Sequence, residues 1–231
     1  MIVSASSLVR HCGYVRALKK LRKPTADQQA AMDRGTLFHQ AIEAWAKTRT
    51  LPMLPDMEMQ GWIDLMSMEW APPVDFDCEI AWGLGLDGAF VPVIEPEPHV
   101  YGPLDGVTPL LTAGRADGAW WNEGVDVADW KTGRWPVTPA VDNLQANAAG
   151  IALARAQGAT SYRPGIYYAR DGFWDWGPRV VFGTPAYERI WGEIRMAALL
   201  DETPRPGPHC KSCWERRGCA HAEPVGSSPD I

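Results

Sequence analysis

No stretch of this 231-residue chain approaches the about eighteen uninterrupted apolar residues of a membrane helix, which excludes a helical membrane span. The amino terminus lacks the basic, apolar, small-residue order of a secretory signal, so the chain is expected in the cytoplasm. There is no G-x-x-x-x-G-K-[ST] loop, which excludes a built-in nucleotide-driven motor. Internal repeats are absent, as is low-complexity sequence apart from the short polar tail after Pro224. An excess of positive charge is also missing. With 22 Lys and Arg against 28 Asp and Glu the net charge is −6, which argues against broad, non-specific attraction to polyanions. What is present is ample apolar material: 46% of residues are hydrophobic, enough to bury a core, and the length suits a single domain over 1–231.

Periodicity predicts an α/β chain. A first helix follows the hydroxyl cluster Ser4-Ala5-Ser6-Ser7 and ends near Lys23, where Pro24 stops it. A second spans about 28–47, with Leu37, Phe38, Ala41, Ile42 and Trp45 recurring at helical spacing on an inward face. A third covers 56–70 and a strand 77–84, and the Gly- and Pro-rich stretch 86–109 reads as a long irregular connection or flap. Strands at 111–121 and 125–130 join through Asn122-Glu123-Gly124. An alanine-rich helix at 139–157, strands at 165–169 and 179–182 and a helix at 185–200 complete a central mixed sheet flanked by helices.

Two constellations carry chemistry. Asp129-Trp130-Lys131 ends an apolar strand, with Asp117 on the strand before it. Two carboxylates with one ammonium suit a divalent cation and a water held against a phosphodiester, and oxygen ligands favour Mg²⁺ or Mn²⁺. The second constellation is Cys210, Cys213 and Cys219, spaced C-x2-C-x5-C. In a reducing compartment that spacing indicates metal before disulfide. Cys12 would close a four-thiolate site for tetrahedral zinc or an iron-sulfur cluster; His209 and His221 are competing ligands that would make it a zinc site. Cys78, in a predicted strand, reads as a core residue.

Charge is unevenly spread. From Arg10 to Lys23 there are six basic residues and no acidic one, a run able to neutralise several phosphates through Arg16, Lys19 and Lys20 among others. Twelve tryptophans are many for this length; most belong to the core, while one or two of Trp120, Trp121, Trp135, Trp174 and Trp176 are candidates for stacking on bases.

The order of motifs along the chain resembles the RecB-type branch of the PD-(D/E)XK nuclease superfamily, and within it the CRISPR-associated and phage exonucleases that carry an iron-sulfur staple. The resembling pieces are Arg34-Gly35 with His39, Gly114-Arg115-Ala116-Asp117, Val127-Ala128-Asp129-Trp130-Lys131-Thr132-Gly133 and Gln145, framed by Cys12 and by Cys210, Cys213 and Cys219. The resemblance implies a restriction-endonuclease-like core and a metal-dependent DNA exonuclease that hydrolyses phosphodiester bonds, with single-stranded DNA as the expected substrate. It implies that His39, Asp117, Asp129 and the carbonyl of Trp130 ligate the metal, that Lys131 positions the attacking water, and that Arg34 joins the DNA-binding basic residues. Read from its own position in the preceding strand, Glu79 either joins the metal shell indirectly or is an outward strand residue. Gln145 begins a Gln-x-x-x-Tyr motif that places the strand, but position 149 is Ala here. The cysteines imply a [4Fe-4S] cluster tying elements at 1–23 and 203–222 together. Recombination, phage replication and CRISPR adaptation are the implied settings, with a helicase or adaptation protein as partner. A silent DNA-binding or assembly scaffold of the same fold is the alternative; it predicts decay of the acidic and lysine positions, all of which stand intact.

Overall fold

The structure, a computed structural model, describes residues 3–8, 12–14, 23–97, 100–133, 137–207, 210, 213 and 219–221. A mixed sheet runs through its centre in the order β10-β8-β7-β6-β2-β3. Its strands are β1 (Val3–Ser4), β2 (Asp77–Gly85), β3 (Phe90–Val91), β6 (Leu110–Trp121), β7 (Val125–Lys131), β8 (Ser161–Tyr168), β9 (Phe173–Trp176) and β10 (Val180–Val181). A separate two-stranded hairpin, β4 (Val93–Glu97) and β5 (Val100–Pro103), stands beside it. The β7–β8 and β1–β6 pairs are parallel and the other pairs antiparallel.

Helices cover both faces. On one side α1 (Ala26–Thr48) and α2 (Met57–Glu69) lay Phe38, Ile42, Trp62, Ile63 and Met66 against Phe76, Trp120, Trp130 and Tyr167 of the sheet side. On the other, α3 (Leu144–Ala156) and α4 (Pro185–Leu199) bury Ile151, Tyr187 and Ile194 against Trp82, Leu84, Val127 and Tyr162. This is the expected α/β arrangement of helices flanking a mixed sheet. Among the described residues no helix is long and apolar enough to cross a membrane.

Local chemistry explains the element ends. Thr25 and Gln28 form a reciprocal capping box that starts α1 at Ala26, and Arg49 closes it in the left-handed region at φ 58°. From there Arg49 donates to the carbonyls of Pro72, Pro73 and Val74, tying the end of α1 to the approach to β2. α3 is flush with the sheet because its inner residues are small: a Cβ at Gly150 would lie 2.2 Å from the Tyr162 ring. At the start of β7, Asp126 is fully buried and paired with Arg163 and, at 2.8 Å, with Arg179.

Several expectations are corrected. The stretch 86–109 is not an irregular connection, because it contains β3 and the β4–β5 hairpin. The helix expected from 139 begins only at Leu144, where Asn143 accepts from the Ala146 N–H and a 3-10 turn, Ala140–Asp142, precedes it. Leu37 is 49% exposed instead of facing inward. The hydroxyl cluster forms β1 and a 3-10 turn, Ala5–Ser7, and most of the helix expected after it lies outside the described residues.

Candidate metal centre

The site opens where β6 and β7 part. Their pairing runs from Trp121–Val125 to Gly118–Ala128 and stops there. One position further, the Trp130 N–H donates to the Asp117 carboxylate at 2.7 Å, a side chain taking the place of a ladder carbonyl. Strand divergence thus leaves room between the two aspartates while fixing Asp117 by a backbone donor. On the other side of β6, Glu79 of β2 has φ +51°, a left-handed conformation uncommon for a side-chain-bearing residue. The β2–β6 register is unshifted across it, from Cys78–Gly118 to Ile80–Ala116, and Glu79 stands opposite Asp117. The left-handed backbone re-aims the side chain, and its carboxylate meets His39.

His39 arrives from α1. Its Nδ1 lies 3.3 Å from Glu79 Oε1 and 3.6 Å from Asp117 Oδ1, and ligand atoms of the three residues all fall within 4.8 Å of one another. Gly35, one turn earlier, brings α1 close to the end of β7: a Cβ there would come within 3.1 Å of Thr132 Oγ1. Lys131 Nζ sits 2.6 Å from Asp129 Oδ2, off the hydrogen-bonding direction, and Asp129 is only 5% exposed. His39, Glu79 and Asp117 border a cavity of about 570 Å³ that Arg115 and Gln145 also help to line.

The charges are strongly coupled. Burial opposes the His39 imidazolium, yet Asp117 and Glu79 outweigh it and push the imidazole up to about 9. Burial, followed by the neighbouring Asp129 charge, pushes the Asp117 carboxyl up to about 7. Glu79 is drawn below its ordinary range, because its hydrogen bond to His39 and its contact with Arg115 overcome the effect of burial. Lys131 is raised, since Asp129 and Asp117 outweigh its desolvation. A proton on His39 and crowded carboxylates are what a preformed cation site looks like when protons balance its negative charge.

No family model matches the chain, and no curated protein matches it. A solved structure, that of SSO0001, is similar at the level of the fold, with a TM-score of 0.36 and 15% identity over 74% of this chain and 73% of that one.

Of the residues singled out from the sequence, His39 and Asp117 converge, with Glu79 as the third member instead of Asp129. Asp129 and Lys131 form their own pair beside them. The Trp130 backbone N–H holds Asp117 while its indole packs among Trp70, Phe76 and Trp174. Gln145 lines the cavity from the first turn of α3. Arg34 is half-buried on α1 and is not among the residues lining the cavity. Arg16, Lys19, Lys20, His209 and Trp135 lie outside the described residues. Trp120, Trp174 and Trp176 belong to an aromatic cluster in the core, whereas Trp121 is 53% exposed. Tyr101 and the hydroxyl turn at Ser4 and Ser6, which also line the cavity, were not legible as site residues. Nothing in the Glu- and Pro-rich stretch around Tyr101 marks it as a site residue, and the serine cluster signals only a helix cap.

Cys12, Cys210, Cys213 and Cys219 form no disulfide. Cys210 is buried and its Sγ accepts the Gly207 N–H at 3.4 Å. Segments from the two ends of the chain meet. The Tyr14 and His221 rings are 5.4 Å apart edge to face, and a Cβ at Gly13 would collide with the Asp201 carbonyl.

Proposed function

We propose that the chain is a metal-dependent deoxyribonuclease with a restriction-endonuclease-like core, of the RecB-like PD-(D/E)XK type, acting on single-stranded DNA. The observation that carries this reading is the convergence of His39, Glu79 and Asp117 on one cavity, with the Asp129–Lys131 pair acting on Asp117 from beside it. One imidazole and two carboxylates fit Mg²⁺ or Mn²⁺, and Asp129 adds a further negative charge beside Asp117. A bound cation supplies acidification of a water and offset of charge on a phosphoryl oxygen. Lys131, held by Asp129, orients that water and remains protonated, so it also faces the developing negative charge. Gln145 borders the strand from α3.

The four cysteines suit a structural [4Fe-4S] cluster, with zinc as the alternative, because the segments that carry Cys12 and Cys219 meet where the Tyr14 and His221 rings pack edge to face. A brown anaerobic preparation with stoichiometric iron supports the cluster, and stoichiometric zinc without colour overturns it.

The deciding experiment incubates end-labelled single-stranded DNA with anaerobically purified protein and Mn²⁺ or Mg²⁺. Loss of label that disappears with EDTA and with Lys131→Ala is the expected result. Folded, metal-loaded protein that cuts neither single- nor double-stranded DNA overturns the assignment.

A further inference from the structure

The cavity has a second charged feature that the cation group does not use. Arg115, two residues before Asp117 on β6, spans from the site to the β4–β5 hairpin. Its Nη1 lies 3.3 Å from Glu79 Oε2, and its Nη2 pairs with Glu95 of β4. Glu95 is unusual for a hairpin carboxylate because its side chain is only 10% exposed. It lies in the irregular stretch of β4–β5, where the register shifts between Ile94 and Glu97, and a bulge of this kind turns a side chain out of its regular direction. Tyr101 of β5, itself lining the cavity, hydrogen-bonds to Glu95 with a hydroxyl that burial and the Glu95 charge keep protonated. One arm of the guanidinium and a phenol therefore converge on the Glu95 carboxylate, while the other arm faces Glu79, at the rim of a cavity proposed to take a nucleic-acid strand.

We propose that Arg115 and Tyr101 form a phosphate seat for the substrate strand, and that Glu95 is a built-in occupant which the phosphodiester displaces. This rests on the nuclease reading and adds the strand's anchoring point to it. The exchange is balanced in charge, since a carboxylate and a phosphodiester each carry one negative charge, so the guanidinium stays paired in both states. Arginine suits the exchange because its planar fork matches carboxylate and phosphate alike. The same displacement unlatches the β4–β5 hairpin from β6, so the hairpin closes the seat in the absence of a strand and yields to one. The contact of Arg115 with Glu79 puts the seat one guanidinium away from the cation group.

The test uses the full chain in EDTA, so that no cation contributes, with two probes. With inorganic phosphate, titrated by calorimetry, Glu95→Gln should bind about 10-fold more tightly than wild type or better, because an internal competitor reduces apparent affinity by the fraction of time it holds the seat. Adding Arg115→Gln to Glu95→Gln should abolish that gain. With fluorescein-labelled oligothymidine, Glu95→Gln should tighten binding. Arg115→Gln should weaken it and reduce the slope of log K against log salt by about 0.7, one single-strand phosphate contact. Arg115→Lys, which keeps the charge and loses the fork, should fall between the two. The proposal is overturned if Glu95→Gln changes neither affinity, or if Arg115→Gln leaves the salt slope unaltered. Wild type that neither binds nor cuts oligothymidine instead removes the nuclease reading, and the assignment of the seat to a strand falls with it.

Discussion

Gly118 is the position where packing and chemistry are most tightly joined, and Gly118→Ala tests that link. An ideal Cβ there would lie 2.4 Å from Phe76 Cζ, 2.5 Å from its Cε2 and 3.2 Å from Trp130 Cζ2. Nonbonded carbons rest about 3.5–4.0 Å apart, so the phenyl ring would have to retreat by about 1 Å. It has little room, because Trp70, Trp120 and Trp130 surround it at ring separations of 5.3, 5.7 and 6.3 Å. Overpacking of this kind costs about 1–3 kcal/mol. Reduced freedom of the unfolded chain returns about 0.4–1 kcal/mol, as Gly118 is not held at positive φ. The expected net loss is therefore roughly 1–2 kcal/mol. Urea denaturation in EDTA, followed by tryptophan fluorescence, should show a lower midpoint at unchanged slope. Because Trp130 also holds Asp117 through its N–H, Mn²⁺ affinity should fall in parallel. Phe76→Leu removes the clashing atoms, so the double variant should be more stable than the sum of the single effects predicts. Equal or higher stability of Gly118→Ala, or strict additivity with Phe76→Leu, refutes the reasoning.

The charge network gives a pH prediction for metal-free protein. His39 is raised from 6.5 to about 9, so its contribution is complete below pH 6.5 and lost as pH climbs through about 9. Asp117, raised from 3.8 to about 7, likewise favours the fold at low pH and stops doing so between those values. Melting temperature in EDTA should therefore fall from pH 5 to 9, while stabilisation by Mn²⁺ grows; a melting temperature that rises between pH 6.5 and 9 contradicts this. Lys131→Ala should cost about 3 kcal/mol in urea titrations, since it strands the buried Asp129 carboxylate, and Asp129→Asn in the same chain should recover part of the loss. A Lys131→Ala protein as stable as wild type would falsify that pairing. Arg49→Ala should lose about 2 kcal/mol with its three carbonyl contacts, and Arg49→Gly about 1 kcal/mol less because glycine tolerates φ 58°. Equal midpoints for the two variants would show that backbone strain at Arg49 is negligible.

Helices were legible where burial has one period. Phe38, Ala41, Ile42 and Trp45 reveal α1 because a single face is buried, and only the capping pair Thr25 and Gln28 sets its start two residues earlier than the apolar pattern does. The hairpin in 86–109 was not legible, since β3 to β5 are short and interrupted by Gly and Pro, and half-exposed Ile94 and Val100 break any clean alternation. β9 escaped notice for a similar reason: its four residues, Phe173–Trp176, are all at least partly exposed, so no inside–outside pattern marks them. Within the site, Asp117, Asp129 and Lys131 stand out as charges in apolar strands. Glu79 is legible only as an indirect member of the shell or an outward strand residue, because its direction depends on a positive φ that no glycine or asparagine announces. Glu95 and Tyr101 are silent, their meaning arising only when the hairpin folds back on Arg115.

The buried Asp126 has a consequence beyond local pairing. It stands directly across from Arg163 in a run of seven consecutive β7–β8 partners that ends at Lys131 and Tyr168. A one-residue slip would turn Asp126 towards the opposite face, and a two-residue slip would set it against Gly165, with no arginine opposite. Only one alignment satisfies it, and that alignment also delivers Lys131 to its place about 17 Å along the strand. Asp126 thus acts as a key cut at one end of β7 that permits only the register in which the far end sets Lys131 across from Tyr168.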